Sequence, residues 1–277
     1  MSSTIDLTPV FLSLRVSSIA TLTAVLLGIL PAWLLANRRF PGRELLDAVI
    51  TLPVVLPPSV LGYYLLLVIG RRGVVGTWLE QTLGVRLVFT WQAAVIAAVV
   101  AAMPLFVRAA RGAIEQVDPA YLGAARTLGR SEPYIFFRVV LPLAWRGVLA
   151  GVVLCWARAL GEFGATLLVA GNIPGRTQTM AIAIYDAVQA QEMARANALV
   201  LILTAISIVV IVLLNRLTGP ELPGAGGVTA GARGPNGRRA RRRPGRNRSR
   251  RVGDDRGLRR DRAAYKPARD RGGTKEA

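Results

Sequence analysis

Val117-Asp118-Pro119-Ala120-Tyr121-Leu122-Gly123-Ala124-Ala125-Arg126-Thr127-Leu128-Gly129 reads as a short helix with both ends marked. Asp118 is a good N-cap, because its carboxylate can accept from the orphan N–H groups of the first turn, and Pro119 suits position N1. Tyr121, Leu122, Ala125 and Leu128 fall at helical spacing, and Gly129 suits the left-handed residue that closes a helix. Ser131 can cap a following turn ahead of Pro133, and the run ends in Val139-Val140-Leu141-Pro142. The arginines Arg108, Arg111, Arg126, Arg130, Arg138 and Arg146 punctuate this region, and a long apolar block lies on either side of it. A capped polar helix between two such blocks is the loop of a membrane protein.

Working outward, five blocks approach the roughly 20 apolar residues that cross about 30 Å of hydrocarbon. They cover about residues 10–36, 45–70, 91–107, 148–170 and 198–214. Thr8-Pro9 supplies an N-cap and an N1 proline for the first. A signal peptide is the rival reading there, but the block is too long, and Asn37-Arg38-Arg39 is no small-residue cleavage site. The second block contains Leu52-Pro53-Val54-Val55-Leu56-Pro57-Pro58, which cannot continue as a straight helix. Pro57 and Pro58 mark either a bend beside a water-filled path or a packing kink. Trp91 sits where an interfacial anchor belongs. The apolar stretch 180–188 is too short to cross and reads as interfacial or partly inserted.

The formal net charge is +19, and it is unevenly placed. From residue 218 onward stand 16 Arg and 2 Lys against 6 acidic residues, with few apolar side chains. Such a segment cannot bury a core, so 218–277 is expected to be a disordered basic tail, leaving 1–217 as the membrane domain. The tail is read as a solvated extension, or as a binder of anionic lipid headgroups. No aromatic residues interleave with its arginines apart from Tyr265, so specific nucleic-acid binding is not expected. Arg38, Arg39 and Arg43, the loop arginines and the tail all fall on one side of five crossings. The positive-inside rule makes that side cytoplasmic and the N-terminus external.

Absences exclude chemistry. There is no His, Cys155 is the single cysteine, and Lys266 and Lys275 are the only lysines. Ser-His-Asp and Cys-His catalysis, His-ligated zinc and a disulfide framework are ruled out, and no metal site is expected. A phosphate-binding loop needs Gly followed by Lys, and no Lys precedes the tail. The chain is read as having no catalytic residue and no ATP site of its own.

The loop resembles the cytoplasmic signature of bacterial ABC-importer permease subunits. That signature runs Glu-Ala-Ala, three residues, Gly, nine residues, Ile-x-Leu-Pro. Here Gly123-Ala124-Ala125, Gly129, Val139, Leu141 and Pro142 keep its spacing, with Gly123 in the acidic position and Val139 for Ile. The stretch from Ala157 to Thr166, then Gly171-Asn172-Ile173-Pro174-Gly175, is similar to the molybdate and sulfate permeases. Gly70-Arg71-Arg72-Gly73 looks closer to the molybdate branch. The resemblance covers about residues 10–216.

The resemblance implies an all-α polytopic membrane protein, with the type I ABC importer permease fold and about five transmembrane helices. It implies a coupling helix at about 118–129 that docks in a partner ATPase, with Gly123, Ala124, Ala125, Arg126, Gly129, Leu141 and Pro142 as the coupling residues. It implies a bacterial cytoplasmic membrane location and a homodimer with two ATPase subunits. ATP and Mg would sit on those subunits, and an external binding protein would deliver molybdate. Tungstate and sulfate are alternative cargoes. A stand-alone secondary transporter or channel is the alternative class, and it would call for two repeated halves, which the sequence does not display.

Arg158 and Glu162 stand four apart in an apolar block, where they can share a helix face and pair. One reading makes them, with Pro57 and Pro58, elements of the anion path or its gate. The other makes them a structural ion pair.

Overall fold

The computed structural model describes residues 6–38 and 40–218. The basic tail expected at 218–277 lies, beyond its first residue, outside the described residues. Helix α1 runs Thr8–Asn37, α2 Arg43–Val55, α3 Pro58–Ile69, α4 Val74–Leu83 and α5 Trp91–Glu115. Next come α6 Pro119–Thr127 and α7 Glu132–Ile135, then a π-helical turn Phe136–Val140 that leads without a break into α8 Leu141–Leu160. The last three are α9 Gly164–Ala170, α10 Met180–Gln189 and α11 Met193–Thr218.

Helix α5 is the hub, against which α1, α2, α3, α8 and α9 all pack. Its alanines at 93, 94, 97, 98, 101 and 102 are buried, so neighbouring backbones approach closely. Facing it, α1 buries Val16, Ala20, Ala24, Gly28 and Ala32, one residue per turn. A Cβ at Gly28 would come within 2.9 Å of Phe106 Cδ1. Between α5 and α8, a Cβ at Gly147 would lie 2.5 Å from that of Ala113. Small residues set both crossings, as expected where lipid gives helices no hydrophobic reason to associate.

Among the described residues four helical stretches are long and apolar enough to cross a membrane, and the bent pair α2–α3 makes a fifth if it is counted as one span. Two contacts establish that the chain also crosses between α2 and α5. The Arg15 guanidinium lies over the Trp91 ring at 4.1 Å, so α1 and α5 begin at the same end. Arg43 Nη2 donates to the Leu35 carbonyl at 2.8 Å and faces Glu115 at 3.9 Å, so α1 and α5 finish together where α2 starts. The chain enters α2 at one end and enters α5 at the other.

Sequence expectations are corrected at several points. The third crossing continues to Glu115, past the expected 107, because Arg111 finds Asp47 at 3.0 Å and Glu115 at 2.8 Å. The fourth does not run 148–170. It starts with Glu132 and stops at Leu160, and α9 is a separate helix. The second crossing breaks at Leu56-Pro57 with a 117° bend. The prolines at 57 and 58 lack N–H groups, so the carbonyls of Pro53 and Val54 lose their usual helical donors. Thr8 does not cap α1; its N–H is instead the donor to Asp6 Oδ1 at 2.9 Å. The amphipathic α4 was not expected at all. Helix α10 has 10 residues, about 15 Å of rise, which is half the hydrocarbon thickness. It lies at the Arg15 end, where Met180 N–H donates to Ser13 Oγ at 2.7 Å.

Candidate coupling surface and translocation path

Helix α6 forms as its sequence dictates. Asp118 Oδ1 accepts from Ala120 N–H at 2.8 Å, and Pro119 opens the helix. Gly129 closes it with φ of +71°, a conformation that L side chains rarely adopt. Ser131 supplies no side-chain cap to the next turn; its carbonyl accepts from Ile135 N–H instead.

The helix divides cleanly into two faces. Leu122 and Ala125 are buried and anchor it to the body of the protein. Tyr121, Gly123, Ala124, Arg126, Thr127 and Leu128 are exposed, and Leu128 shows 76% of its surface. A Cβ at Gly123 or Gly129 would meet nothing within 4 Å. The outer face is therefore a small, partly apolar platform with free space above it.

Glu132 was not singled out by sequence, yet it fastens this platform. Arg126 Nε donates to Glu132 Oε1 at 2.9 Å and Nη2 donates to Oε2 at 3.3 Å. The carboxylate raises the Arg126 guanidinium pKa above its ordinary value, through that hydrogen bond first. Arg38, just past α1, faces Glu132 at 3.7 Å. The closing end of α6 is thus tied to α7 and α1. The π turn that follows carries Arg138 and Val139, and Leu141 and Pro142 begin α8. A π turn at this point joins the platform to a membrane helix.

The path candidates also meet. Pro58 and Arg158 line one cavity of about 130 Å³ together with Pro53, Val54, Leu56 and Leu105. Pro57, the residue that caps α3, stands immediately before Pro58. Arg158 Nη1 contacts Glu162 Oε2 at 2.7 Å. Glu162 is not in the helix, however, because α8 has already ended at Leu160. Its other oxygen, Oε1, accepts from Ala165 N–H at 3.0 Å and so caps α9. The Glu162 side chain is 2% exposed and that of Arg158 is 34% exposed. Glu162 is therefore the fixed partner, and Arg158 is the charge that faces the cavity. Gly164 is required beside it, since a Cβ there would sit 2.6 Å from Pro58 Cβ.

These features define a multi-spanning membrane protein with an exposed platform on α6 and a broken helix beside a charged cavity. Residues 24–219 match the family described as "Binding-protein-dependent transport system inner membrane component", and the chain belongs to that family. It is 50% identical over 180 residues to the Molybdenum transport system permease protein ModB of Escherichia coli K12, covering 65% of this chain and 79% of that protein. Haemophilus influenzae ModB is 44% identical over 207 residues, covering 73% and 90%. The Sulfate transport system permease protein CysT of Escherichia coli K12 is 36% identical over 190 residues, covering 69% and 68%. The fold is that of type I ABC importer permeases. A MetNI methionine ABC transporter chain superposes with a TM-score of 0.60 at 15% identity, covering 77% of this chain and 94% of that one. A bacterial alginate ABC transporter chain gives 0.63 at 15%, covering 78% and 80%.

Proposed function

We propose that this chain is the membrane subunit of an ATP-driven molybdate importer. The observation that carries the reading is its 50% identity with a molybdenum permease, against 36% with a sulfate permease. Two copies enclose one path, and each presents α6 to a separate ATPase subunit. The exposed face of Gly123, Ala124, Arg126 and Leu128 is the docking surface, while Leu122 and Ala125 transmit its movement inward. ATP and Mg are held by the ATPase. ATP binding draws the two platforms together, and the π turn passes that motion to α8.

The end that carries Arg38, Arg43, Arg111 and Arg126 is cytoplasmic, which leaves the N-terminus outside. A soluble protein delivers the anion at the Arg15 end. The path itself needs only weak affinity, because an anion held tightly would not be released. Arg158 contacts the passing anion and Glu162 holds Arg158 in place. Uptake of radiolabelled molybdate and sulfate by the reconstituted complex tests the cargo. Molybdate uptake that tungstate competes and sulfate does not is the expected result. Sulfate uptake unaffected by excess molybdate overturns it.

A further inference from the structure

We infer that the cleft between α5 and α8, at the coupling-helix end, is a binding site for an oxyanion group held by Arg108 and Arg146. The cleft has a volume of about 620 Å³, and its walls include Arg108, Gly112 and Ala113 of α5 and Arg146 and Gly147 of α8. Asp118, the cap of α6, forms part of its rim. The two arginines, both exposed, thus line one space from two different helices.

Neither arginine has a carboxylate within 4.0 Å among the described residues. Among the described residues Arg146 has its neighbour Trp145, at 5.7 Å from the ring centre. At the same end Arg38, Arg43, Arg111 and Arg126 each face a carboxylate, whereas Arg130 and Arg138 lie outside the cleft and, among the described residues, face none. Asp118 is the one acidic residue of the cleft wall, and its Oδ1 is already committed to Ala120 N–H. Two unpaired guanidinium forks in one recess offer the planar donor geometry that oxyanions take.

The space is kept open by small residues. A Cβ at Gly112 meets nothing within 4 Å, and Gly147 lets α8 approach Ala113 while no side chain fills the groove. An oxyanion between the two arginines bridges α5 and α8 beside the start of α6, with the Asp118 carboxylate on the rim opposing it. Two sources supply that chemistry: a small free oxyanion such as molybdate or phosphate, and the phosphate of an anionic lipid at the interface. The inference does not depend on molybdate being the cargo.

The test uses the full chain in complex with its ATPase, in nanodiscs, with Gly112→Cys as a reporter inside the cleft. Cys155 is buried and does not compete for label. Maleimide labelling of the reporter is followed in neutral phosphatidylcholine discs with added molybdate or inorganic phosphate, and in discs containing phosphatidylglycerol. Protection by free anion in neutral discs assigns the site to a small oxyanion. Protection by phosphatidylglycerol alone assigns it to a lipid headgroup.

In either case Arg146→Gln and Arg108→Gln should each weaken protection about tenfold, as expected for loss of one charge-assisted contact. Arg72→Gln, far from the cleft, should change nothing. Labelling indifferent to all three anions overturns the inference, as does protection that survives both arginine substitutions. Should Arg146→Gln fail to assemble, Arg146→Lys keeps the charge and removes the fork, and unaltered protection there counts against the guanidinium role. Failed molybdate uptake with intact protection would refute the cargo and leave the site standing.

Discussion

Arg126 and Glu132 are joined by two hydrogen bonds of 2.9 and 3.3 Å, and this clasp fixes the end of α6 to the start of the helix that enters the membrane. The pair is partly exposed, so its contribution to stability is small, about 0–1 kcal/mol. Its value is geometric. On the proposed coupling role, force applied to the outer face of α6 would reach α8 through Glu132 and the π turn, and α1 through Arg38, which faces Glu132 at 3.7 Å.

Glu132→Gln should therefore leave insertion and thermal stability nearly unchanged, while transport falls several-fold and ATP hydrolysis continues. The measurement is the ratio of anions moved to ATP hydrolysed in proteoliposomes. An unchanged ratio would show that the clasp does not transmit motion.

Gly129 and Gly123 make opposite predictions. Gly129 is held at φ +71°, so Gly129→Val forces a β-branched residue into the left-handed region, at a cost of about 1–2 kcal/mol or more. The end of α6 should unwind and co-purification with the ATPase should drop. Gly123 lies within the helix with open space beyond it, so Gly123→Ala should strengthen α6 by about 0.5–1 kcal/mol and preserve the complex. Gly123→Glu, which restores the acidic residue of the permease signature, should likewise be accommodated. Loss of ATPase binding in Gly123→Ala together with normal binding in Gly129→Val would reverse the assignment of the docking face.

Much of this architecture is written locally. The caps of α6 lie within its own sequence, and the Pro57-Pro58 break follows from two missing donors. The limits of α5 and α8 are not local. Arg111 looks like a loop residue until Asp47, 64 positions earlier, appears beside it. The end of α8 at Leu160 is hidden because Ala157 to Thr166 stays apolar through the break, apart from the Arg158–Glu162 pair that stabilises it. Glu132 carries no signal of its own, since its importance comes from two arginines on other elements. The cleft of Arg108 and Arg146 is a consequence of how two helices cross, and spacing along the chain does not encode it.

The crossing of α5 and α8 gives a reciprocal test of the packing. Gly147→Ala adds a methyl group 2.5 Å from Ala113 Cβ and should destabilise by about 1–3 kcal/mol. Ala113→Gly removes the opposing methyl group at about the helix cost of glycine alone, near 1 kcal/mol. Combining them should recover most of the Gly147→Ala loss, which is a coupling energy detectable by thermal melts of the four proteins in detergent. Strict additivity would mean the helices do not meet at this point.

The Arg158–Glu162 pair predicts an asymmetry. Glu162 is buried, neutralises Arg158 and caps α9 through Ala165 N–H, so Glu162→Ala removes two contacts and strands a cation beside the break. Breaking a buried pair in this way costs about 3–5 kcal/mol, and the one-third exposure of Arg158 places this case at the lower end. Arg158→Ala keeps the Glu162 bond to Ala165 N–H but strands the buried Glu162 carboxylate, so its cost in stability should be comparable. It also removes the cation from the cavity, so it should cost more transport. The two variants are compared by melting temperature and by anion uptake at equal amounts of assembled complex. Comparable melting shifts with the larger uptake loss for Arg158→Ala would separate the structural member of the pair from the member that faces the path. Equal losses in both measurements would make the pair a purely structural tie between α8 and α9.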